Sequence, residues 1–516
     1  MTPPPSGPTG YNAGDNLLHL LGLAPESRVL IVGEELRPWW DRFRDCRFIG
    51  DLSSLPAPDT FLLLLVDPAS AEAALDPKGG FAVLKGVMAP EAVLLVFAVN
   101  RWGLRHLKAR IRGTMPTKGA RFGYRGLQRA LAEAGIDGQR LFVPMGPLFE
   151  ADEFAAPGTE FMEIPRHWNR AYHLAHRLGA YHEMADGFLV VAGDPPLEFR
   201  GTVRAITDWL AANGEGAPRL RVERFDLRLR GALVLFLKER GRPGGMIARL
   251  VSDPALASTL GKNAAFLTSL RDATAGCDAV TALLPHPLLN RCVDGSSVFV
   301  ESLLPGVIAW KVVSSDNGEG IALQAADFLV AMRDASSQRV ILRERTLDEL
   351  IPTRLAEEGV SGDREVADGF ARVAHALRQG LADRELGLGC SHGDFGYGNI
   401  LVDPGSARLT GVIDWDTARL SELPGVDFYN FLLQRSRIEK GSGLFSAWQD
   451  LVRGLVFERY RELWLKLGVT EDLRDAVGRL ALLRYLARSA RYPAVFSSER
   501  DECRSVLAHV LSEWPA

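Results

Sequence analysis

The sequence predicts an α/β region followed by an α+β region, and three observations carry that reading. The first two hundred residues contain continuous apolar runs separated by helical segments, as strands buried on both faces of a parallel sheet do. Residues 220–306 hold apolar strands joined by short polar turns, and beyond Asp427 apolar residues recur at helical spacing. Between them lies Cys390-Ser391-His392-Gly393-Asp394-Phe395-Gly396-Tyr397-Gly398-Asn399-Ile400-Leu401, followed by Ile413-Asp414-Trp415-Asp416. The organisation expected is a disordered tail over 1–15, an α/β domain over 16–195, a smaller lobe over 196–306 and a helical lobe over 307–516.

In chain order, the Pro-rich start has neither a basic n-region nor an apolar h-region, so it is read as a tail and not a signal peptide. Strands are expected at 27–33, 60–67 and 92–100, with a short one at 46–50. Residues 124–135 read as a helix ending on a glycine, 140–144 as a later strand, and 187–196 as a last strand running into a Pro-containing linker. From Ala92 to Ala132 there is no acidic residue, while nine Arg and Lys residues fall between Arg101 and Arg129. That segment is either a solvated basic face or a place for an anionic ligand or a membrane surface. His167, His173, His176 and His182 crowd one segment, but no cysteine or HExxH pattern joins them, so exposed helical histidines are preferred to a zinc site.

The 390–416 stretch is the chemically specific one. Asp394 stands five residues before Asn399, and Asp414 fifteen after it. A metal-dependent phosphoryl transfer needs this set: a base to orient a hydroxyl, and two oxygen ligands for magnesium, which keeps several waters and otherwise binds substrate phosphates. Residues 400–403 and 409–413 read as two strands around Pro404-Gly405, a hairpin carrying Asn399 at its entrance and Asp414 at its exit.

His392-Gly393-Asp394, Asn399 and Ile413-Asp414-Trp415-Asp416 resemble the aminoglycoside phosphotransferase and choline kinase family, a small-molecule branch of the protein-kinase-like fold. The resemblance implies a two-lobed domain in which Asp394 is the catalytic base and Asn399 and Asp414 are the metal ligands. It makes His392, Asp416 and Asp427 supporting residues, and ATP and Mg2+ the cofactors. It also places Arg249 where the family has a phosphate-binding lysine, and Asn263 where it has that lysine's glutamate partner. Arginine keeps the charge but is not geometrically equivalent. Residues 297–306 resemble the hinge, where the backbone of Glu301, Ser302 and Leu303 would meet the adenine.

The order of the earlier elements, over about residues 16–193, is similar to class I S-adenosylmethionine-dependent methyltransferases, a Rossmann-like arrangement. The likeness is to a degenerate form. Gly33 is followed by Glu34-Glu35-Leu36 instead of a glycine-rich turn, and Gly33 to Thr60 leaves room for only one helix and one short strand. Asp51 stands where a ribose-binding acid would.

Composition sets the remaining bounds. With 47% hydrophobic and 24% charged residues the chain is ordinary for a globular protein, and a net charge of −4 implies no nucleic-acid partner. Five widely spaced cysteines suggest neither a disulfide framework nor a zinc site, which fits the cytoplasm. The longest apolar runs are too short to span a bilayer. Three functions follow: a phosphotransferase acting on a hydroxyl of a small molecule, sugar or glycan-linked acceptor; a catalytically silent nucleotide-binding regulator; or a methyltransferase with an accessory kinase-like domain.

Overall fold

A computed structural model describes residues 17–18, 20–24, 26–33, 36, 45–49, 61–66, 80–99, 124–144, 153–157, 185, 187–215, 219–227, 232–239, 244–293, 296–314, 316–352, 364–452, 458–489, 501–503 and 505–510. The chain divides into two compact units, Met1–Gly261 with Pro287–Leu303, and Lys262–His286 with Leu304–Ala516. The expected tail, the basic stretch 101–123, the four clustered histidines and Asp51 lie outside the described residues. Among the described residues, no helix is long and apolar enough to cross a membrane.

The first unit is built on twelve strands. They are β1 (Val29–Val32), β2 (Cys46–Ile49), β3 (Phe61–Val66), β4 (Met88–Val99), β5 (Arg140–Pro144), β6 (Glu153–Ala155), β7 (Gly187–Ala192), β8 (Leu220–Leu227), β9 (Ala232–Glu239), β10 (Met246–Val251), β11 (Pro287–Val293) and β12 (Ser296–Ser302). They form one sheet, in the order β11-β12-β10-β9-β8-β6-β5-β7-β4-β3-β1-β2. β2, β1, β3 and β4 run parallel, β7 lies antiparallel beside β4, and every pair from β7 to β11 is antiparallel.

The apolar runs explain the parallel half, because alternate residues of one strand enter opposite cores. Val29, Ile31, Leu63, Leu65, Val93 and Leu95 pack on one face. Leu30, Val32, Leu64, Val66, Leu94 and Val96 pack on the other. The first of these cores continues under the antiparallel half through Phe142, Phe154, Phe225, Leu235, Leu250 and Val300.

The short strand β6 pairs with both β5 and β8, and so joins the strands of residues 29–192 to those of residues 220–302. Phe225 stacks on Phe154 at 5.2 Å and meets Phe142 edge-on at 4.9 Å. Arg224 donates to both oxygens of Asp226 at 2.8 and 2.9 Å, and to Glu153 at 2.9 Å. Asp226 is fully buried. Truncating one partner of a buried pair leaves a charge uncompensated, so Arg224→Ala is expected to destabilise the first unit by about 3–5 kcal/mol. Its denaturant midpoint should fall clearly; an unchanged midpoint would show that the junction contributes nothing.

The second unit carries β13 (Val307–Ile308), β14 (Gln338–Ile341), β15 (Glu385–Ser391), β16 (Ile400–Val402), β17 (Leu409–Val412) and β18 (Arg419–Glu422), in sheets ordered β13-β16-β17 and β14-β15-β18. Its helices include Gly318–Ser336, Arg364–Leu381, Val426–Lys440 and Glu471–Ser489. Trp448, Trp464, Tyr460 and Tyr485, at the helical spacing noted in the sequence, are buried. They are core: Phe428, for example, meets Trp464 at 4.9 Å and Tyr460 at 5.6 Å.

Candidate active site

The described 390–416 stretch lies in the second unit and forms a strand, a loop and a hairpin. β15 ends at Ser391, the loop follows, and β16 pairs with β17 with Ile400 opposite Val412. The Ile413 amide then donates to the Asn399 carbonyl at 2.9 Å. Asn399 and Asp414 therefore stand at the two ends of the hairpin's open side. Asp414 adopts a left-handed backbone, φ 68°. An aspartate tolerates this better than most residues, but the conformation still costs on the order of 1 kcal/mol, a strain typical of functional positions.

His392 organises the loop from inside. Its ring is fully buried, lies 4.5 Å from Trp415, and donates from Nε2 to the Ile413 carbonyl at 2.8 Å. Its Nδ1 accepts the Asp394 amide at 3.3 Å, which assigns the tautomer with the proton on Nε2. Asp427, in the first turn of the helix Val426–Lys440, accepts the His392 amide at 2.6 Å and the Gly393 amide at 2.9 Å. Gly393 must be glycine: its φ is 79°, and a Cβ would lie 2.3 Å from the Thr417 carbonyl oxygen.

Asp394 is half-buried and held at several atoms. Besides its amide, its carbonyl accepts from Asn399 Nδ2 at 2.9 Å, and its Oδ1 accepts from Gln434 Nε2 at 3.3 Å. Asp416 is exposed.

This loop falls within residues 230–463, which match the model of the phosphotransferase enzyme family. No curated protein matches the chain. Several solved structures are similar to parts of the chain at low identity. One is a thermostable mutant of the aminoglycoside phosphotransferase APH(4)-Ia, in ternary complex with ADP and hygromycin B. It is 15% identical, with 60% of this chain and 99% of that chain covered and a TM-score of 0.37. Another is the aminoglycoside phosphotransferase APH(3'')-Id from Streptomyces rimosus with ADP and streptomycin, at 16%, 55%, 98% and 0.34 respectively. A possible histamine N-methyltransferase from Thermotoga maritima gives 12%, 34%, 87% and 0.22.

The donor set of the phosphotransferase region suits a hard cation. With Asn399 Nδ2 engaged by the Asp394 carbonyl, the amide oxygen is its remaining donor atom, and Asp414, at the other end of the hairpin opening, offers a carboxylate. Among the described residues no three His, Cys, Asp or Glu side chains gather as a metal cage. Two protein oxygens completed by waters and phosphates are what magnesium uses.

In the first unit, Arg249 on β10 pairs with the Glu301 carboxylate, Nη1 to Oε1 3.0 Å. The Leu303 amide, expected at the hinge, donates to the Gly245 carbonyl at 2.9 Å. Asn263, in the second unit, is buried.

Sequence reading missed Gln434, although a signal existed. It lies seven residues after Asp427, two helical turns on, and so shares its helix face. Phe431 between them packs on Tyr397 at 4.9 Å and on Phe395 at 5.9 Å. One helical stripe therefore lines the whole loop. A Cβ on Gly396 would lie 1.9 Å from Gln434 Oε1. Gly396→Ala is accordingly expected to push Gln434 off Asp394 and to lower kcat about tenfold with the nucleotide KM unchanged. A variant with wild-type kcat would contradict that role.

A second missed group braces the loop from Tyr397, whose hydroxyl donates to Glu439 at 2.7 Å. Burial and that carboxylate hold the Tyr397 phenol well above its usual range. Arg435 joins Glu439 to Glu319 and Tyr460. Burial alone would raise the Glu319 carboxyl, but hydrogen bonds from Tyr460 and Arg435 outweigh it and hold it below its usual value.

Proposed function

We propose that the protein is an ATP- and magnesium-dependent phosphotransferase that moves the γ-phosphoryl group to a hydroxyl of a small molecule, sugar or glycan-linked acceptor. The observation that carries this is the hold on Asp394, whose amide, carbonyl and carboxylate are each bonded by a different side chain. Such fixing is what a base needs when most of the catalysis is positioning.

In this reading Asp394 orients the acceptor hydroxyl and takes its proton as the oxygen bonds to phosphorus and ADP leaves. Asn399 and Asp414 would hold magnesium, whose bound charge offsets that of the phosphates. Arg249 faces phosphate, and the adenine meets the hinge at Glu301, Ser302 and Leu303 through backbone groups other than the Leu303 amide, which Gly245 holds. His392 and Asp427 keep the loop in shape. Free cysteines at all five positions are compatible with the reducing cytoplasm, where ATP is supplied.

Magnesium removal tests the metal assignment. With a pool of small hydroxyl compounds that includes hygromycin B and streptomycin, ATP-dependent phosphorylation should stop in EDTA and return with added Mg2+. Transfer that persists in EDTA would exclude Asn399 and Asp414 as metal ligands.

A second reading, nucleotide binding without transfer, is favoured by the engagement of Arg249 with Glu301. ATP binding with no product over the same pool would support it. For the first 195 residues we infer a degenerate methyltransferase-like scaffold. The parallel order β2-β1-β3-β4 makes a topological switch at β1, where such sheets bind ligands. Calorimetry with S-adenosylmethionine distinguishes a binding site from a scaffold. The boundary near 195 then separates functions within one continuous sheet.

A further inference from the structure

We propose that Glu301 is the positioning residue for Arg249, so that a strand–strand ion pair inside the sheet does the work of the strand–helix pair used by other kinases. This rests on reading Arg249 as a phosphate-binding residue.

The register brings the two side chains together. Arg249 lies directly across from Phe299, and Glu301 across from Ile247, so arginine and glutamate are diagonal neighbours on adjacent antiparallel strands. Long side chains reach across that diagonal. Ala248, Leu250, Val298 and Val300 alternate with them and enter the core on the opposite face. Both residues therefore sit on the sheet face turned away from that core.

Burial separates their roles. The Glu301 side chain is 3% exposed and that of Arg249 is 19% exposed. A carboxylate that deep requires a paired cation, and the planar guanidinium fork takes its direction from that carboxylate. Glu301 thus fixes the direction of the fork, and the fork meets phosphate. β10 is held on both sides, by β9 and β12, so the pair is set by two paired strands.

In kinases the lysine–glutamate pair between strand and helix must be in place for activity, and movement of the helix controls it. Here the helix Pro254–Ala273 carries no acid at Asn263. A pair built within the sheet is assembled whenever the sheet is folded, and it needs no helix movement.

The test is a binding cycle using N-methylanthraniloyl-ATP with Mg2+ as the probe, read by fluorescence on the full chain. Arg249→Gln is expected to weaken binding about tenfold or more, and Glu301→Gln by about three- to tenfold. The double variant should bind no more weakly than Arg249→Gln alone, because Glu301 acts only through Arg249. A merely structural glutamate would instead lower affinity and melting temperature equally in both backgrounds. Should Glu301→Gln fold poorly, Glu301→Met, which replaces the buried charge by an apolar side chain, carries the same comparison.

Wild-type affinity in Glu301→Gln, or an undiminished effect in the Arg249→Gln background, overturns the pairing role and leaves Arg249 a phosphate ligand. Wild-type affinity in Arg249→Gln overturns both.

Discussion

Asp394→Asn is expected to lower phosphoryl transfer by about 10²–10⁴-fold while leaving nucleotide affinity near that of the wild type. Asparagine keeps the shape and can still be held by Gln434, through its amide oxygen. It cannot take a proton from the acceptor, so the loss falls on kcat. A parallel loss of nucleotide affinity would mean that Asp394 holds the loop together instead of acting on the hydroxyl. Steady-state rates at saturating ATP, with binding measured separately, separate these cases.

The second large effect is expected at Asp427. Its carboxylate accepts two backbone amides, from His392 and Gly393, and is 5% exposed. Hydrogen bonds to a charged group contribute about 1.5–3 kcal/mol each, and Asp427→Ala leaves both donors unsatisfied beside the buried imidazole. The variant is expected to lose about 3 kcal/mol or more of stability in the second unit. Its catalytic loop should also lose order, which hydrogen exchange at the His392 and Gly393 amides would read as faster exchange. Asp427→Asn keeps one acceptor oxygen and should fall between the two. If Asp427→Ala exchanged and unfolded like the wild type, the aspartate would be dispensable to the loop.

Asp394 was legible in the sequence because its setting is local, whereas Asp427, 35 residues from the His392 amide it accepts, was placed by the family resemblance. Asp394, Asn399 and Asp414 sit within twenty-one consecutive residues, on a turn and a hairpin whose pattern needs no distant partner. The apolar runs of β1, β3 and β4 were legible for a similar reason, since burial on both faces leaves an uninterrupted signal.

What escaped depended on distant register or on very short elements. Glu301 meets Arg249 only through the pairing of β12 with β10, which no sequence period encodes. β6 has three residues, below what alternation can mark, yet it joins the strands of residues 29–192 to those of residues 220–302. Gln434 looked like one polar residue among several on a helix, and its seven-residue spacing from Asp427 gains meaning only once Asp427 is placed under the loop.

The central claim is that Asp394 serves a phosphoryl transfer to a small hydroxyl compound. The most direct test incubates wild-type and Asp394→Asn protein with ATP, Mg2+ and a small-molecule extract, and compares the products by mass spectrometry. The expected result is a compound one phosphoryl group heavier, formed with the wild type and essentially missing with the variant. The same compound formed at the same rate by both proteins would contradict the account.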